Sequence, residues 1–140
     1  MSNFLFDRLF GCHTGETKPF LMFADGSQQS YDSFLRQAAR FANVIEQLGL
    51  GVGDRLAAQI EKSAEGLALY AACIQSGVIF LPLNTAYTST EISYFVEDSG
   101  AKLLVADQNF DLGNVASEHR AGLEFLNEDG SGSFCDLARN

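Results

Sequence analysis

Two apolar runs joined by a polar loop and a capped helix constrain this chain more than any other feature. Val78 to Leu83 is six apolar residues in succession, and Leu103, Leu104, Val105 and Ala106 form a second run. Runs without polar alternation suit strands of a parallel sheet covered on both faces. Between them Asn84-Thr85-Ala86-Tyr87-Thr88 leaves the first run at its C-terminal end, the edge of an open α/β sheet where ligands bind. Thr88 and Glu91 have the T-x-x-E spacing of a capping box, so a helix follows, with Ile92, Tyr94, Phe95 and Val96 as its buried side. The stretch Ala71 to Asp107 is therefore expected to be helix end, strand, loop, helix and strand.

A chain of 140 residues, 46% hydrophobic with two prolines, is expected to be one folded α/β domain. Its net charge of −9 and the scatter of its nine basic residues disfavour nucleic acid and anionic membrane surfaces as partners. The cysteines Cys12, Cys73 and Cys135 are odd in number and show no C-x-x-C spacing, which fits a reducing, cytoplasmic setting. The opening MSNFLFDRLF carries Asp7 and Arg8 inside its apolar stretch, unlike a secretion leader. No apolar run approaches the length that spans a bilayer.

Taken in order, residues 1–18 form a helical arm, with Asn3 capping Phe4 to Phe10. Residues 19–31 form a hairpin, Phe20 to Ala24 and Ser27 to Ser30 around Asp25-Gly26. Residues 32–126 form αβ units. Ser30 caps the first long helix, which carries Asp32 in its first turn and ends near Leu48. Phe34, Ala38, Phe41, Ile45 and Leu48 share one side of that helix, and Arg36, Arg40, Asn43 and Gln47 the other. Gly49 to Gly53 follows a helix and precedes the strand Asp54 to Ile60, the reverse of a dinucleotide fingerprint, so it is a helix stop and turn. Ser63 caps a helix to Ser76 that is apolar nearly all round (Leu67, Leu69, Tyr70, Cys73, Ile74), and Gly77 ends it. Past Asp107 the pattern weakens to a helix over Phe110 to Ala121 and a strand over Leu123 to Leu126. Residues 127–140 are expected to be a loop and terminal turn, Asp129 to Ser133 flexible and linker-like, with Ser133 capping Phe134 to Arg139.

No Ser, Cys or Asp stands with a histidine as nucleophile and base. Cys12-His13 lacks the further ligands of a metal site, and His119 is equally alone. Glu61-Lys62-Ser63 and Asn84-Thr85 leave the ends of two predicted strands, where they either line a pocket or serve as caps and turns; the local signals favour Ser63 and Thr88 as caps and Asn84 as a turn residue. The Gly-Ser loop at 129–133 lacks the Gly-Lys-Ser/Thr ending of a phosphate loop. Tyr70, Tyr87 and Tyr94 are assigned to core or rim packing.

The order of these pieces resembles the beginning of the AMP-forming acyl-CoA synthetases, the adenylate-forming superfamily that includes luciferases and nonribosomal peptide adenylation domains. QSYDSFLRQAARFANVIEQLGLGVGDRLAAQ is similar to that family's opening block, with its Gly-x-Gly-Asp-Arg turn into a strand. AACIQSGVIFLPLNTAYTSTEISYFVEDSGAKLLVAD is similar to its second block. Gln59-Ile-Glu-Lys-Ser63 and Pro82-Leu-Asn-Thr-Ala-Tyr-Thr88 most resemble the malonyl-CoA synthetase branch. The resemblance implies a mostly parallel twisted sheet flanked by helices, with the N-terminal β-hairpin beside it, forming the N-terminal portion of the synthetase large domain. It also implies a chemistry in which ATP and magnesium convert a carboxylate to its AMP ester and the acyl group passes to coenzyme A. That chemistry uses a Ser/Thr/Gly-rich phosphate loop, an acidic magnesium ligand, a nucleoside pocket and a mobile lysine-bearing domain, which these residues do not match. No catalytic, cofactor-binding or metal-binding residue is therefore assigned, no cofactor is expected on this chain alone, and the chain is expected to be inactive by itself. The expected partner is the remainder of a synthetase or a protein covering its open core faces. A non-catalytic interaction module is the alternative, and an independent flavodoxin-like nucleotide domain a third reading.

Overall fold

The computed structural model describes residues 3–113, 115 and 121–140. A short helix α1 (Phe4–Leu9) begins on Asn3, whose side chain accepts from Leu5 and Phe6 N–H groups. The hairpin pairs β1 (Pro19–Met22) with β2 (Gln28–Ser30) in antiparallel fashion as a two-stranded sheet of its own. Asp25 organises its turn by accepting from the Ser27 N–H and hydroxyl. Those two bonds hold the Asp25 carboxyl below the usual carboxylate range.

Helix α2 (Tyr31–Gln47) starts where Ser30 accepts from Ser33 N–H at 3.1 Å. Of the side that the spacing predicts, Phe34, Ala38, Phe41 and Ile45 are buried and Leu48 is half-buried, while Val44 joins the buried set. The main sheet follows: β3 (Arg55–Gln59), β4 (Ile79–Pro82), β5 (Leu103–Ala106) and β6 (Gly122–Phe125), with α3 (Ala64–Ser76) and α4 (Ser89–Ser99) between them and α5 (Ser133–Arg139) after them. All three strand pairings are parallel, in the order β4-β3-β5-β6.

That order follows from the chain stepping to one side of β3, then returning past it to the other. With right-handed crossovers the two steps put their helices on opposite faces, and alternation along the strands gives each face its own core. Leu56, Ala58, Leu103 and Val105 pack with α2, α3 and Phe134 of α5. Ala57, Leu104 and Ala106 pack with Ile92 and Val96 of α4 and with Leu112 and Val115. The predicted α/β class, parallel sheet and side hairpin all stand.

Four expectations need correction. The run at Val78 to Leu83 is not a strand covered on both faces: β4 is an edge strand, and Ile79 is 48% exposed. Tyr94, expected on the buried side of α4, is 61% exposed, because one face of an eleven-residue helix suffices to cover the sheet. The loop at 129–133 is not a linker. Asp129 accepts from the Ser131 N–H and hydroxyl, and Asn127 bonds Ser131 through both backbone and side chain. Ser133 does not cap α5 but lies within it, and its hydroxyl accepts from Phe125 N–H at 2.9 Å, tying the helix to β6. Gly132 takes the cap position at φ 114°, and a Cβ there would collide with the Phe125 carbonyl. The helix expected over Phe110 to Ala121 falls largely outside the described residues, as does His119; Phe110 to Gly113 are not helical.

The turn from α2 into β3 is fixed by Asp54, which accepts from Gly51 N–H at 2.8 Å and pairs with Lys102 Nζ at 2.9 Å. The Gly51 bond first, then Lys102, holds its carboxyl below the ordinary value of 3.8. A depressed folded-state value contributes stability that is present above the unfolded value and lost as pH falls through the folded one. Asp54→Asn is therefore expected to lower the urea midpoint at neutral pH and to converge on the wild-type midpoint in acid. A gap of equal size in strong acid would show that the charge on Asp54 plays no part.

Candidate functional site

The C-terminal ends of β3 and β4 open into a cavity of about 660 Å³ lined by Ile60, Glu61, Lys62, Pro82, Leu83, Asn84 and Thr85. It adjoins an apolar slot of about 330 Å³ whose walls include Leu67, Tyr70 and Phe80. The two strands run side by side in one direction, so both sets of polar residues leave at one edge. The structure thus brings together the two polar groups that the sequence placed at strand ends.

Each group also has local work. Ser63 Oγ accepts from Gly66 N–H at 3.0 Å and caps α3. Gly66 lets that first turn settle onto the β3 end, since a Cβ there would lie 3.2 Å from Ile60 Cδ1. Asn84 Oδ1 accepts from Ala86 N–H at 2.9 Å, a side-chain-closed turn. Thr88 and Glu91 form the full capping box: Oγ1 accepts from Glu91 N–H, and Glu91 Oε2 accepts from Thr88 N–H at 2.8 Å. Tyr70 meets Phe80 edge-on at 5.6 Å in the slot wall, and Tyr87 stacks on Phe95 at 5.1 Å.

The strand order has its topological switch between β3 and β5, the crevice where flavodoxin-like sheets hold ligands. Here the chain's own loop lies across the end of β3. Gln59, fully buried, directs its Nε2 at the carbonyls of Asn84 and Tyr87, at 3.2 and 3.0 Å. Sequence reasoning did not single Gln59 out as a site residue. Its signal was a polar residue closing an otherwise apolar strand, LAAQ, at a position that faces a covered side.

Elsewhere the isolated candidates are structural. The His13 ring stacks on Tyr31 at 4.1 Å and its Nδ1 lies 3.0 Å from Glu16 Oε2. Glu16 also pairs with Lys18 at 2.9 Å, and Lys18 first, then His13, holds its carboxyl below the usual range. Among the described residues no three His, Cys, Asp or Glu side chains gather as metal ligands. No residue of this edge is assigned to ATP or magnesium, and no step is derived through them. What the edge offers is an apolar slot with a polar mouth, suited to shaping one wall of a site.

Residues 12–131 match the family model described as AMP-binding enzyme. The ATP-bound crystal structure of MatB from Rhodopseudomonas palustris superposes with a TM-score of 0.89 at 40% identity, covering 100% of this chain and 28% of that one. A Mycobacterium tuberculosis fatty acyl CoA synthetase shares the fold, with a TM-score of 0.76 at 20% identity over 99% of this chain and 28% of that one. The fatty acid–[acyl-carrier-protein] ligase ScoC of Streptomyces coeruleorubidus is 30% identical over 61% of this chain and 17% of its own length. The chain thus spans less than a third of each of these proteins.

Burial pushes the Cys73 thiol up to about 12, and burial followed by Glu65 raises that of Cys135. Cys12 is exposed. An aromatic disulfide reagent at neutral pH is expected to modify Cys12 alone in the native chain and all three thiols after unfolding. Rapid native labelling of Cys135 would contradict its burial in the core shared with α2 and α3.

Proposed function

The chain belongs to the family of AMP-binding enzymes, and from that membership we propose that it forms the N-terminal part of the large domain of an AMP-forming acyl-CoA synthetase acting on malonate. The observation that carries this reading is the similarity to MatB, a malonyl-CoA synthetase, over the whole of this chain at 40% identity. In the reaction implied, malonate attacks ATP to give malonyl-AMP and pyrophosphate, and the coenzyme A thiol displaces AMP. This segment supplies scaffold and one wall of the site. Ser63, Asn84 and Thr88 at this edge are engaged as caps and turns, which supports a supporting role over a reacting one, and the chain is inactive by itself. Three free thiols fit a cytoplasmic setting; no described helix is long and apolar enough to cross a membrane.

Two measurements test this. The purified chain, given ATP, magnesium, malonate and coenzyme A, is expected to release neither AMP nor malonyl-CoA. A chimera in which this chain replaces the matching segment of MatB is expected to form malonyl-CoA. A folded chimera that prefers a longer or aromatic acid would sink the malonate assignment.

The exposed Ile79 and Tyr94 favour a second reading, a non-catalytic module docking on the rest of a split synthetase or on another protein. Sedimentation at high concentration tests it: self-association or capture of a synthetase fragment is expected, and a monodisperse monomer that retains no partner counts against it.

A further inference from the structure

The loop from Asn84 to Tyr87 is shaped by local bonds, and one side chain of the sheet, Gln59, reaches its carbonyls. Its shape comes from the Asn84 Oδ1 bond to Ala86 N–H and from Tyr87 N–H donating to the Asn84 carbonyl at 3.0 Å. Facing it is Gln59, at the last position of β3. Gln59 Nε2 lies 3.2 Å from the Asn84 carbonyl oxygen, 3.5 Å from that of Thr85 and 3.0 Å from that of Tyr87. An amide nitrogen has two hydrogens to give, so three carbonyls converge on one donor group. The flipped amide would set oxygen against oxygen, which fixes the orientation.

The other amide atom makes the arrangement informative. Gln59 Oε1 is buried and, among the described residues, has no hydrogen-bond partner. A methionine or leucine here would extend the apolar layer of Ala57 and leave no acceptor stranded. The strand ends instead on a residue that bears a stranded oxygen and gathers the loop. We infer that Gln59 is a positioning residue. It latches the Asn84 to Tyr87 loop to the end of β3, beside the switch point between β3 and β5. In doing so it sets where Asn84 and Thr85 stand in the wall of the cavity beside β4. The latch stands on the geometry alone, whereas its consequence for substrate rests on the synthetase reading above.

The test compares Gln59→Glu, which keeps the shape and removes both donors, with Gln59→Met, which keeps the bulk and removes all polarity. Amide hydrogen exchange is read in the 140-residue chain at neutral pH. Both variants are expected to lower protection at Ala86 and Tyr87 by at least about tenfold while Leu104 and Val105 in β5 hold theirs. Gln59→Glu is expected to have the larger effect once its carboxyl is ionised, and a smaller one at lower pH, where the protonated acid keeps one hydrogen to give to the carbonyls. A role of shape alone predicts Gln59→Glu close to wild type at every pH, and that result would overturn the proposal. Unchanged loop protection would overturn it too, as would a fall shared by Leu104 and Val105 or failure of both variants to fold, since these assign Gln59 to general core support. In the MatB chimera the same variants are expected to raise KM for malonate by about fivefold with kcat and KM for ATP held. An inactive parent chimera would count against the synthetase reading and leave the exchange result intact. A loosened loop with unchanged KM would remove the claim on the cavity wall.

Discussion

The parallel pairing of β3 with β5 is the interaction on which the rest of this structure depends. Leu56 to Gln59 lie against Leu103 to Ala106 in register, and every one of these eight residues is buried. Because β4 pairs on the other side of β3, the chain has to return across that strand to form β5. The return carries α4 to the face opposite α3 and divides the apolar residues into two cores. The small side chains Ala57, Ala58 and Ala106 let both helical layers approach the central strands. Were β5 to pair on the outside of β4, α4 would stay on the α3 side and the Ala57–Leu104–Ala106 face would lie bare.

Much of this was legible because each boundary had a local chemical cause. Asn3, Ser30, Ser63 and Thr88 cap as their residue types predict, and Gly49 and Gly77 end helices in the left-handed region. Strand order was not legible. The apolar composition of Val78 to Leu83 equals or exceeds that of β3, yet β4 takes the edge, because neighbours in a sheet are settled by where the helices pack. Tyr94 missed for a related reason: a short helix gives a broad apolar arc, and the sheet beneath it determines how much of that arc is covered. Ser133 looked like a cap from its neighbours, but the N–H of Phe125, eight residues earlier, claims its hydroxyl.

The candidate site was legible as an address rather than as a mechanism. Parallel strands of similar length deliver their following residues to one edge, so Glu61-Lys62-Ser63 and Asn84-Thr85 were predictable neighbours. The part played by Gln59 was hidden, since a glutamine at a strand end carries no signature until the carbonyls of a loop 25 to 28 residues later are brought to it. Long-range polar convergence of this kind is decided by the fold.

Pro82 gives the open side of β4 a property that burial alone does not convey. Ile79 N–H donates to the Asp54 carbonyl and Leu83 N–H to that of Ala58, so odd-numbered residues of this strand turn their donors inward. The donors of Phe80 and residue 82 would then point outward, and residue 82 is a proline, which has none. The strand therefore presents a single outward N–H along its four residues. An incoming strand finds half a ladder, which guards against edge-to-edge aggregation while the apolar surface beside it is bare. The same defect favours a cover that meets this flank through side chains over one that prolongs the sheet.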